Sequence, residues 1–392
     1  MHQPQGFIKQ GEEHLVCKLE KSLYGLKQSG RVWHNTLKGE LMKLGFKSGD
    51  ADPTIFFQYG DHSSIAIAGW YVDDGLLASN SNISMDQMIT DISGSFDIQD
   101  LGEPECLLGI RIIRNKELGI IHISQPSYID IIARRFNILP GKLISSPMSS
   151  SIILRPSSDN DNLTVLPYAS LTGSINYCAI ATRPDISYAT NKCAQLTSKP
   201  RMEHWDAAKR IICYLLHTRE YGIKYRRNSD KIGEHSHNLS GYTDSDFAGD
   251  TNNRKSTSGW VFMFNRAPIS WASRKQSLVM RSSMEAELVA GSIASVEGIW
   301  IIKLGRDFHH LFNPIPLYTD NQSFIALSVT DTSNKRTKHI DTHYHYTREQ
   351  INAGTIKLFY IPTLQNPADI LIKPLPPNKH LHHLEILGMQ HA

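Results

Sequence analysis

The chain has 392 residues, of which 40% are hydrophobic and 20% are charged. A chain of this size and composition can bury several apolar cores, which excludes a small disulfide-stapled scaffold and extensive disorder. The net charge of +3 does not by itself indicate a polyanionic partner, and the five cysteines include no C-x-x-C pair that would suggest a zinc site or a disulfide framework.

The first residues are polar, and no run reaches the roughly 18 apolar residues that span a bilayer. We therefore expect neither an export signal nor a membrane partner. Scattered cysteines fit a reducing, intracellular location. Two polar stretches, 145–162 and 228–240, predict a long loop and a linker. They divide the chain into a first segment at 1–144, a loop and helical segment at 145–238, and a third segment at 239–392.

The first segment mixes predicted strands at 64–68 and 119–123 with predicted helices at 30–44 and 126–136, which indicates an α+β domain. Tyr71-Val72-Asp73-Asp74 stands between two apolar runs and predicts a tight hairpin with two acids at its tip. Such a pair suits the metal site of a nucleotidyl transferase, which aligns a primer hydroxyl with a triphosphate. A pair of aspartates at a turn is also common without any catalytic role.

The second segment is predicted to be mostly helical up to residue 227, with apolar residues at helical spacing between 205 and 216. Residues 201–231 contain eight Lys or Arg against four Asp or Glu, together with Trp205, Tyr214, Tyr221 and Tyr225. This composition fits either a nucleic-acid surface with salt-sensitive binding or an ordinary solvated helix face.

The third segment has the predicted order βββ-α-β-α-β-α. A strand at 239–243 precedes a hairpin of 256–264 and 268–273 around Asn265-Arg266-Ala267. A helix follows, entered through a capping-box pattern of Ser282 and Glu285. A strand at 316–320, a short helix from residue 322, a helix at 341–352 and a strand at 355–361 come next. Asn366-Pro367 then opens a final helical turn.

Four acids of this segment stand at strand ends or helix starts: Asp244, Glu287, Asp320 and Asp369. Such positions can meet at one edge of a sheet, and converging carboxylates need a counter-ion because like charges raise each other's pKa. Mg²⁺ favours oxygen ligands, and two such ions can support hydrolysis of a phosphodiester. Each acid taken singly also has an ordinary explanation as a strand-end, surface or helix-dipole residue.

Seven motifs follow one another in the third segment: GYTDSDFAGD, STSGWVFMF, APISWASRKQ, SSMEAELVA, YTDNQSFIAL, RTKHIDTHYHYTRE and NPADILIKPLP. They resemble the ribonuclease H domain of the Pol polyprotein of copia-type LTR retrotransposons. The resemblance implies a mixed sheet with flanking helices, in which Asp244, Glu287, Asp320 and Asp369 bind two Mg²⁺ ions, or Mn²⁺ instead. It implies cleavage of the RNA strand of an RNA/DNA hybrid.

For two residues that this resemblance singles out, an alternative role remains open. Glu285 could take the role of Glu287, although the A-E-L context and the capping use of Glu285 favour Glu287. His339 is a candidate substrate contact or an ordinary surface histidine. The loop 362–366 lacks the His that some ribonucleases H carry there, so product release would depend on another group.

Seven earlier motifs also stand in order: QPQGF, VCKLEKSLYGLKQSGRVWH, ADPTIFF, YVDD, DLGEPECLLGI, ISQPSYI and TRPDISYA. They resemble the copia-type reverse transcriptase with its palm and thumb, and the connection after it. The resemblance makes Asp73 and Asp74 two of three metal-binding palm aspartates. It also implies that two segments lie beside the incoming nucleotide. The first contains Tyr24, Gly25, Lys27 and Gln28, and the second contains Tyr71. Leu108-Gly109-Ile110 would contact the primer end.

The third palm aspartate of that family lies upstream of the Q-P-x-G-F motif, so we expect a partial reverse transcriptase that is inactive alone and takes dNTPs only when completed. The expected protein is a Pol fragment, α/β and α+β in class, whose ribonuclease H domain binds and cuts RNA/DNA hybrids. The alternatives are a decayed, inactive copy that at most binds nucleic acid and a structural piece of a polyprotein. The expected location is the cytoplasm, in a virus-like particle, or the nucleus, and an oligomer or polyprotein partner is left open.

Overall fold

The structure, a computed structural model, describes residues 1–60, 64–158, 161–227, 239–309, 314–329 and 341–391. The chain separates into two units. The first contains residues 1–103 and a short stretch from Arg306, at the end of a long helix. The second contains the remaining residues from Pro104 onward.

The first unit is a four-stranded antiparallel sheet with two helices, in the strand order β1-β2-β3-β4. Its core holds Leu41, Phe56, Ala68 and Ile92, all buried. The predicted α+β character of this region is confirmed. In chain order the elements are α1 (Ser29–Lys43), β1 (Lys47–Ser48), β2 (Ile55–Tyr59), β3 (Ile65–Tyr71), β4 (Asp74–Ser79) and α2 (Asn82–Ser95).

The second unit begins with an antiparallel sheet and four helices. Its first elements are β5 (Cys106–Leu107), β6 (Ile110–Asn115), β7 (Ile120–Ser124), α3 (Pro126–Arg135), α4 (Tyr168–Ala181), α5 (Ser187–Ala194), α6 (Met202–His217) and β8 (Tyr221–Arg226). The remaining elements are β9 (Leu239–Asp246), β10 (Thr257–Phe264), β11 (Ala267–Lys275), α7 (Ser283–Asp307), β12 (Ile315–Thr319), α8 (Gln322–Val329), α9 (Asp341–Asn352), β13 (Ile356–Tyr360), α10 (Pro377–Ile386) and β14 (Met389–His391).

Helices α3 to α6 share one hydrophobic core, which contains Ile129, Leu171 and Ile211. Trp205 and Tyr214 belong to this core and are 7% and 1% exposed. For these two rings both alternatives, a nucleic-acid surface and a solvated helix face, are therefore wrong, because their helical spacing turns them inward. The cations Lys209 and Arg219 of the same stretch are exposed.

The antiparallel sheet of the second unit has the order β14-β8-β7-β6-β5. Helices α4 to α6 occupy most of the segment that is predicted to be mostly helical, and strand β8 lies at its end. This sheet pairs residues 106–124, 221–226 and 389–391, which come from all three predicted segments. The division at 144 and 238 stays a prediction. Most of the predicted linker at 228–240 lies outside the described residues.

The mixed sheet has the order β11-β10-β9-β12-β13. Strands β9, β10 and β11 are antiparallel, whereas β12 runs parallel to both β9 and β13. The predicted mixed sheet with flanking helices is confirmed. Asn265 and Arg266 both have positive φ and form the two-residue turn of the predicted hairpin.

Helix α7 packs on one face of the mixed sheet, where Ala294 and Ile302 meet Phe262 and Leu317. On the other face lie α10 and a short 3-10 helix, Pro367–Leu371. By length and composition alone α7 is the one helix among the described residues that could cross a membrane. Its burial against the sheet accounts for the same apolar composition.

Candidate metal centre

Two acids lie at the same edge of the mixed sheet because β9 and β12 are parallel neighbours. Tyr242 pairs with Tyr318 in the register of the two strands. Two residues further along each strand come Asp244, near the end of β9, and Asp320, directly after β12, so both lie at the carboxyl ends of these parallel strands. Asp244 is 4% exposed, and Asp320 is half-buried.

The third acid, Glu287, comes from the first turns of α7 and is 4% exposed. The hydroxyl of Ser282 accepts a hydrogen bond from the Glu285 N–H at 3.2 Å, and Glu285 accepts one from the Arg281 N–H at 2.8 Å. Glu285 therefore caps the helix start. Glu287, and not Glu285, reaches the sheet edge.

Each oxygen of Glu287 contacts a neighbouring donor. Oε1 accepts hydrogen bonds from the backbone N–H and the hydroxyl of Ser245, at 2.9 and 2.8 Å. Oε2 accepts one from the Thr319 hydroxyl at 3.4 Å. These bonds fix the carboxylate beside β9 and β12.

Asp244, Glu287 and Asp320 each offer one carboxylate oxygen, and these oxygens lie within 4.8 Å of one another. We call these three residues the acidic triad. Asp244 Oδ1 accepts a hydrogen bond from the Ser245 N–H at 2.8 Å. Asp244 Oδ2 is buried and accepts no hydrogen bond from any donor in the described part of the chain. A buried, unsatisfied oxygen beside two more carboxylates is the donor set of a hard cation.

The electrostatics of the triad are unfavourable without a cation. Burial, followed by the charges of Glu287, Asp320 and Asp369, raises the pKa of Asp244 well above its usual range. Burial also raises the pKa of Glu287 to about 7, with Asp320 adding to the rise and Ser245 opposing it. At neutral pH the cation-free triad therefore retains protons that a bound cation would displace.

Asp369 lies next to the triad but is not one of its three closely grouped ligands. It stands in the 3-10 helix Pro367–Leu371, forms an ion pair with Lys373, and lies 3.6 Å from His383 Nε2. Burial alone would raise the pKa of Asp369, but His383 and Lys373 outweigh burial and lower it.

Several residues that hold this site were not predicted from the sequence. The Asn366 side chain accepts a hydrogen bond from the Ala368 N–H and donates one to the Thr243 carbonyl, at 3.1 and 3.0 Å. It thereby ties the helix of Asp369 to β9. The Thr363 hydroxyl donates to Asp320 Oδ2 at 2.6 Å. Lys373 could have been found from the sequence, because it stands one helical turn after Asp369.

The hairpin of the first unit has the predicted form. Tyr71 pairs with Asp74 across a two-residue turn, Val72-Asp73. Val72 has a φ of 56°, which β-branched residues rarely adopt, and its carbonyl accepts a hydrogen bond from the Trp33 indole at 2.6 Å. Both aspartates are exposed.

Of the predicted nucleotide contacts, Tyr24 lies beside this hairpin. Its hydroxyl donates to Asp73 Oδ2 at 2.9 Å. Gly25, Lys27 and Gln28 lie in the exposed stretch that leads into α1. No third His, Cys, Asp or Glu joins Asp73 and Asp74 in a close ligand group within the described ranges.

The remaining predicted site residues stand apart from these groups. Leu108 and Gly109 form the positive-φ turn between β5 and β6 in the second unit, and the Leu108 carbonyl accepts a hydrogen bond from the Tyr177 hydroxyl. His339 lies outside the described residues, so its predicted substrate contact stays a prediction.

Comparison with known proteins gives a family match and relatives that are similar along almost the whole of this chain. The family model "Reverse transcriptase (RNA-dependent DNA polymerase)" matches residues 1–150. The chain is 36% identical, over 99% of its length, to the retrovirus-related Pol polyprotein from transposon TNT 1-94 of Nicotiana tabacum. It spans 29% of that relative.

A shorter relative is covered almost completely. The chain is 30% identical, over 75% of its length, to the transposon Ty5-1 protein of Saccharomyces cerevisiae, of which it covers 94%. Among solved structures, LC11-RNase H1 in complex with RNA/DNA hybrid is similar to 34% of this chain and is itself covered over 93%. The identity is 16% and the TM-score is 0.27.

Proposed function

The chain belongs to the Pol polyproteins of copia-type LTR retrotransposons, and on that premise we propose that residues 239–392 hydrolyse the RNA strand of RNA/DNA hybrids with Mg²⁺. One observation carries the proposal. Three carboxylates, separated by 43 and 33 positions in the sequence, converge within 4.8 Å at one sheet edge. Structural acids have no need to converge in this way, because convergence raises their pKa values.

The residues present fit divalent ions, as the unsatisfied Asp244 Oδ2 indicates. Asp244, Glu287 and Asp320 would hold one ion, and Asp369 would help to hold a second. Bound Mg²⁺ supplies an activated water and stabilises the leaving oxygen of a phosphodiester. Mn²⁺ has the same ligand preference and is the alternative ion.

The protein's own contribution is orientation. Ser245 holds Glu287, Thr363 holds Asp320, and Asn366 holds the helix that carries Asp369. Because these partners are hydrogen-bonded before any ligand arrives, the carboxylates need little rearrangement. The partner is an RNA/DNA hybrid, which the exposed cations of α6 and β8 help to bind. The protein acts inside the cell.

Cleavage of a labelled RNA/DNA hybrid with Mg²⁺ tests the proposal. We expect the wild-type chain to cut the RNA strand and Asp320→Asn to reduce the rate by at least about 100-fold, since a lost ligand should cost no less than a lost supporting residue. Asp86→Asn is the matched control, because Asp86 is an exposed acid of α2 in the other unit. Equal cutting by Asp320→Asn and wild type would reject the site. Hybrid binding without cutting by the wild type would favour the alternative, a decayed copy that only binds nucleic acid.

A second candidate function follows from residues 1–150. The reverse transcriptase family match and the hydrogen bond from Tyr24 to Asp73 favour a role for Asp73 and Asp74 in nucleotidyl transfer. In this role Tyr71, Gly25, Lys27 and Gln28 would lie by the nucleotide. The requirement for a third aspartate, and so for completion of the polymerase before dNTPs are used, stays a prediction. Primer extension on a homopolymer template, compared between wild type and Asp73→Asn, tests whether the chain polymerises dNTPs by itself and whether Asp73 takes part.

A further inference from the structure

Lys373 is the cation closest to the fourth carboxylate of the site. It follows Asp369 by four residues, and its ammonium forms an ion pair with Asp369 Oδ1. The Lys373 side chain is 43% exposed, whereas that of Asp369 is 6% exposed. The ammonium therefore lies at the rim of the site, between a buried acid and solvent.

The charge of Lys373 acts beyond this one pair. Besides Asp369, the carboxylates of Asp244 and Asp320 also attract the Lys373 ammonium. A single ammonium thus offsets part of the charge of three of the clustered acids. An ammonium on a flexible four-carbon chain is a weaker, more exchangeable counter-ion than a divalent cation.

The two parts of the site differ in how their oxygens are used. Asp244 Oδ2, in the acidic triad, accepts no hydrogen bond from the residues that are described. Asp369 Oδ1 is also a buried oxygen without a hydrogen bond from the described residues, but the Lys373 ammonium forms an ion pair with it. An incoming cation meets a buried oxygen at both positions, and at Asp369 it also meets a competing cation.

We propose that Lys373 is the resident counter-ion of Asp369, and that a divalent cation binding at Asp369 has to displace it. This inference rests on the proposed function. It sets an order of binding, with the triad filled first and the Asp369 position second. Lys373 is thus a positioning residue, since it acts through the carboxylate that it holds.

Calorimetric titration of the full chain with Ca²⁺ tests this order without any turnover, because Ca²⁺ takes the same oxygen ligands. We expect two binding events in the wild type, a tighter one lost in Asp320→Asn and a weaker one lost in Asp369→Asn. Lys373→Met should tighten the weaker event by about 10-fold and leave the tighter one within about 2-fold, because a single half-exposed charge is removed next to one position.

Two control variants separate a local ion pair from general charge. Lys379→Met removes an exposed lysine of α10 and should leave both events unchanged. Lys373→Arg keeps the charge and should retain the weak second event, which also guards against a variant that misfolds. Thermal unfolding of each variant without divalent ions reports whether the fold is kept.

The outcomes that overturn the inference differ from those that overturn the function. If Lys373→Met leaves the second event as in the wild type, or changes it only as much as Lys379→Met does, the counter-ion role is rejected while the metal site stands. If the wild type binds no ion, or Asp320→Asn binds ions as the wild type does, the proposed function falls and the inference falls with it.

Discussion

At the scale of single residues, the site is defined by how acids respond to burial. Glu287 has hydrogen-bond donors on both oxygens, yet its pKa is raised to about 7 because burial and the nearby Asp320 outweigh those donors. A carboxyl whose pKa is higher in the folded chain than in the unfolded chain stabilises the fold below its unfolded pKa. That stabilisation is lost as the pH rises through the folded pKa.

We therefore predict that the chain loses stability between about pH 4.5 and pH 8 when divalent ions are chelated. For Glu287 alone, a rise of the pKa from its ordinary value of 4.5 to about 7 corresponds to roughly 3 kcal/mol of unfolding free energy. Glu287→Gln should remove this part of the loss. Urea unfolding in EDTA at several pH values measures it.

Glu385→Gln is the matched control for this pH experiment, since Glu385 is an exposed glutamate of α10. It should keep the wild-type pH profile. If wild type and Glu287→Gln lose stability in parallel between pH 5 and pH 8, burial of Glu287 is not the cause.

Sequence reasoning could identify the acids themselves but not the residues that hold them. Asp244 and Asp320 follow apolar strands, and this local pattern predicts a shared sheet edge. Ser245 and Thr363 give no comparable signal. Their roles depend on which side chains meet across the fold, and a serine or threonine at such a position is ordinary in any protein, whereas Lys373 at least stands four residues after Asp369.

At the scale of elements, Gly259 controls how closely the helix of Asp369 approaches the sheet. Gly259 stands on β10 opposite Asp244. A Cβ there would lie 2.7 Å from the Ile372 side chain and 2.8 Å from that of Leu371. Both neighbours are buried, so neither can move aside easily.

We predict that Gly259→Ala lowers the free energy of unfolding by about 1–3 kcal/mol, the usual cost of overpacking a core. It should also weaken the second Ca²⁺ event, because it pushes the helix of Asp369 away from β9. Gly173→Ala is the control: Gly173 is an exposed position of α4 with no atom within 4 Å of a new Cβ, and we expect a gain of about 0.5–1 kcal/mol. Unchanged stability in Gly259→Ala would mean that the helix is not held as closely as the structure indicates.

The elements that the sequence predicted well are those with their own local signal. Helix α7 has a capping serine, and the β10–β11 hairpin has a short polar turn between two apolar runs. Strands β8 and β14 were missed because their partners are distant in the sequence, and β14 has only three residues. Residue 223 of β8 pairs with residues 123 and 389. The sequence of β8, YGIKYR, contains no local pattern that predicts either pairing.

At the scale of the whole second unit, a buried polar network joins the middle of the chain to its end. Arg183 donates two hydrogen bonds to Asp185, at 2.9 and 2.7 Å, and neither side chain is exposed. The Tyr214 hydroxyl of α6 donates to Asp185 Oδ2 at 2.7 Å and lies 3.0 Å from His380 Nε2 of α10. The T-R-P-D motif thus has a structural role that its sequence alone did not reveal.

We predict that Asp185→Asn lowers the free energy of unfolding by about 3–5 kcal/mol, because it leaves the Arg183 guanidinium buried without its charge partner. Asp130→Asn is the matched control. It breaks an exposed pair with Arg219 at 3.2 Å and should cost no more than about 1 kcal/mol. Native-state hydrogen exchange is the measurement, since it reports the opening free energy of each element.

The network connects α6 with α10, so in Asp185→Asn the amides of both helices should lose protection by a similar free energy. Strand β9, which carries Asp244, should lose protection with them, because α10 and the helix of Asp369 share one core against the mixed sheet. Loss confined to the helices near Asp185, with α10 and β9 still protected, would show that the two halves of this unit open independently. The metal centre would then keep its Ca²⁺ affinity in Asp185→Asn, whereas a unit that opens as a whole should bind the ion more weakly.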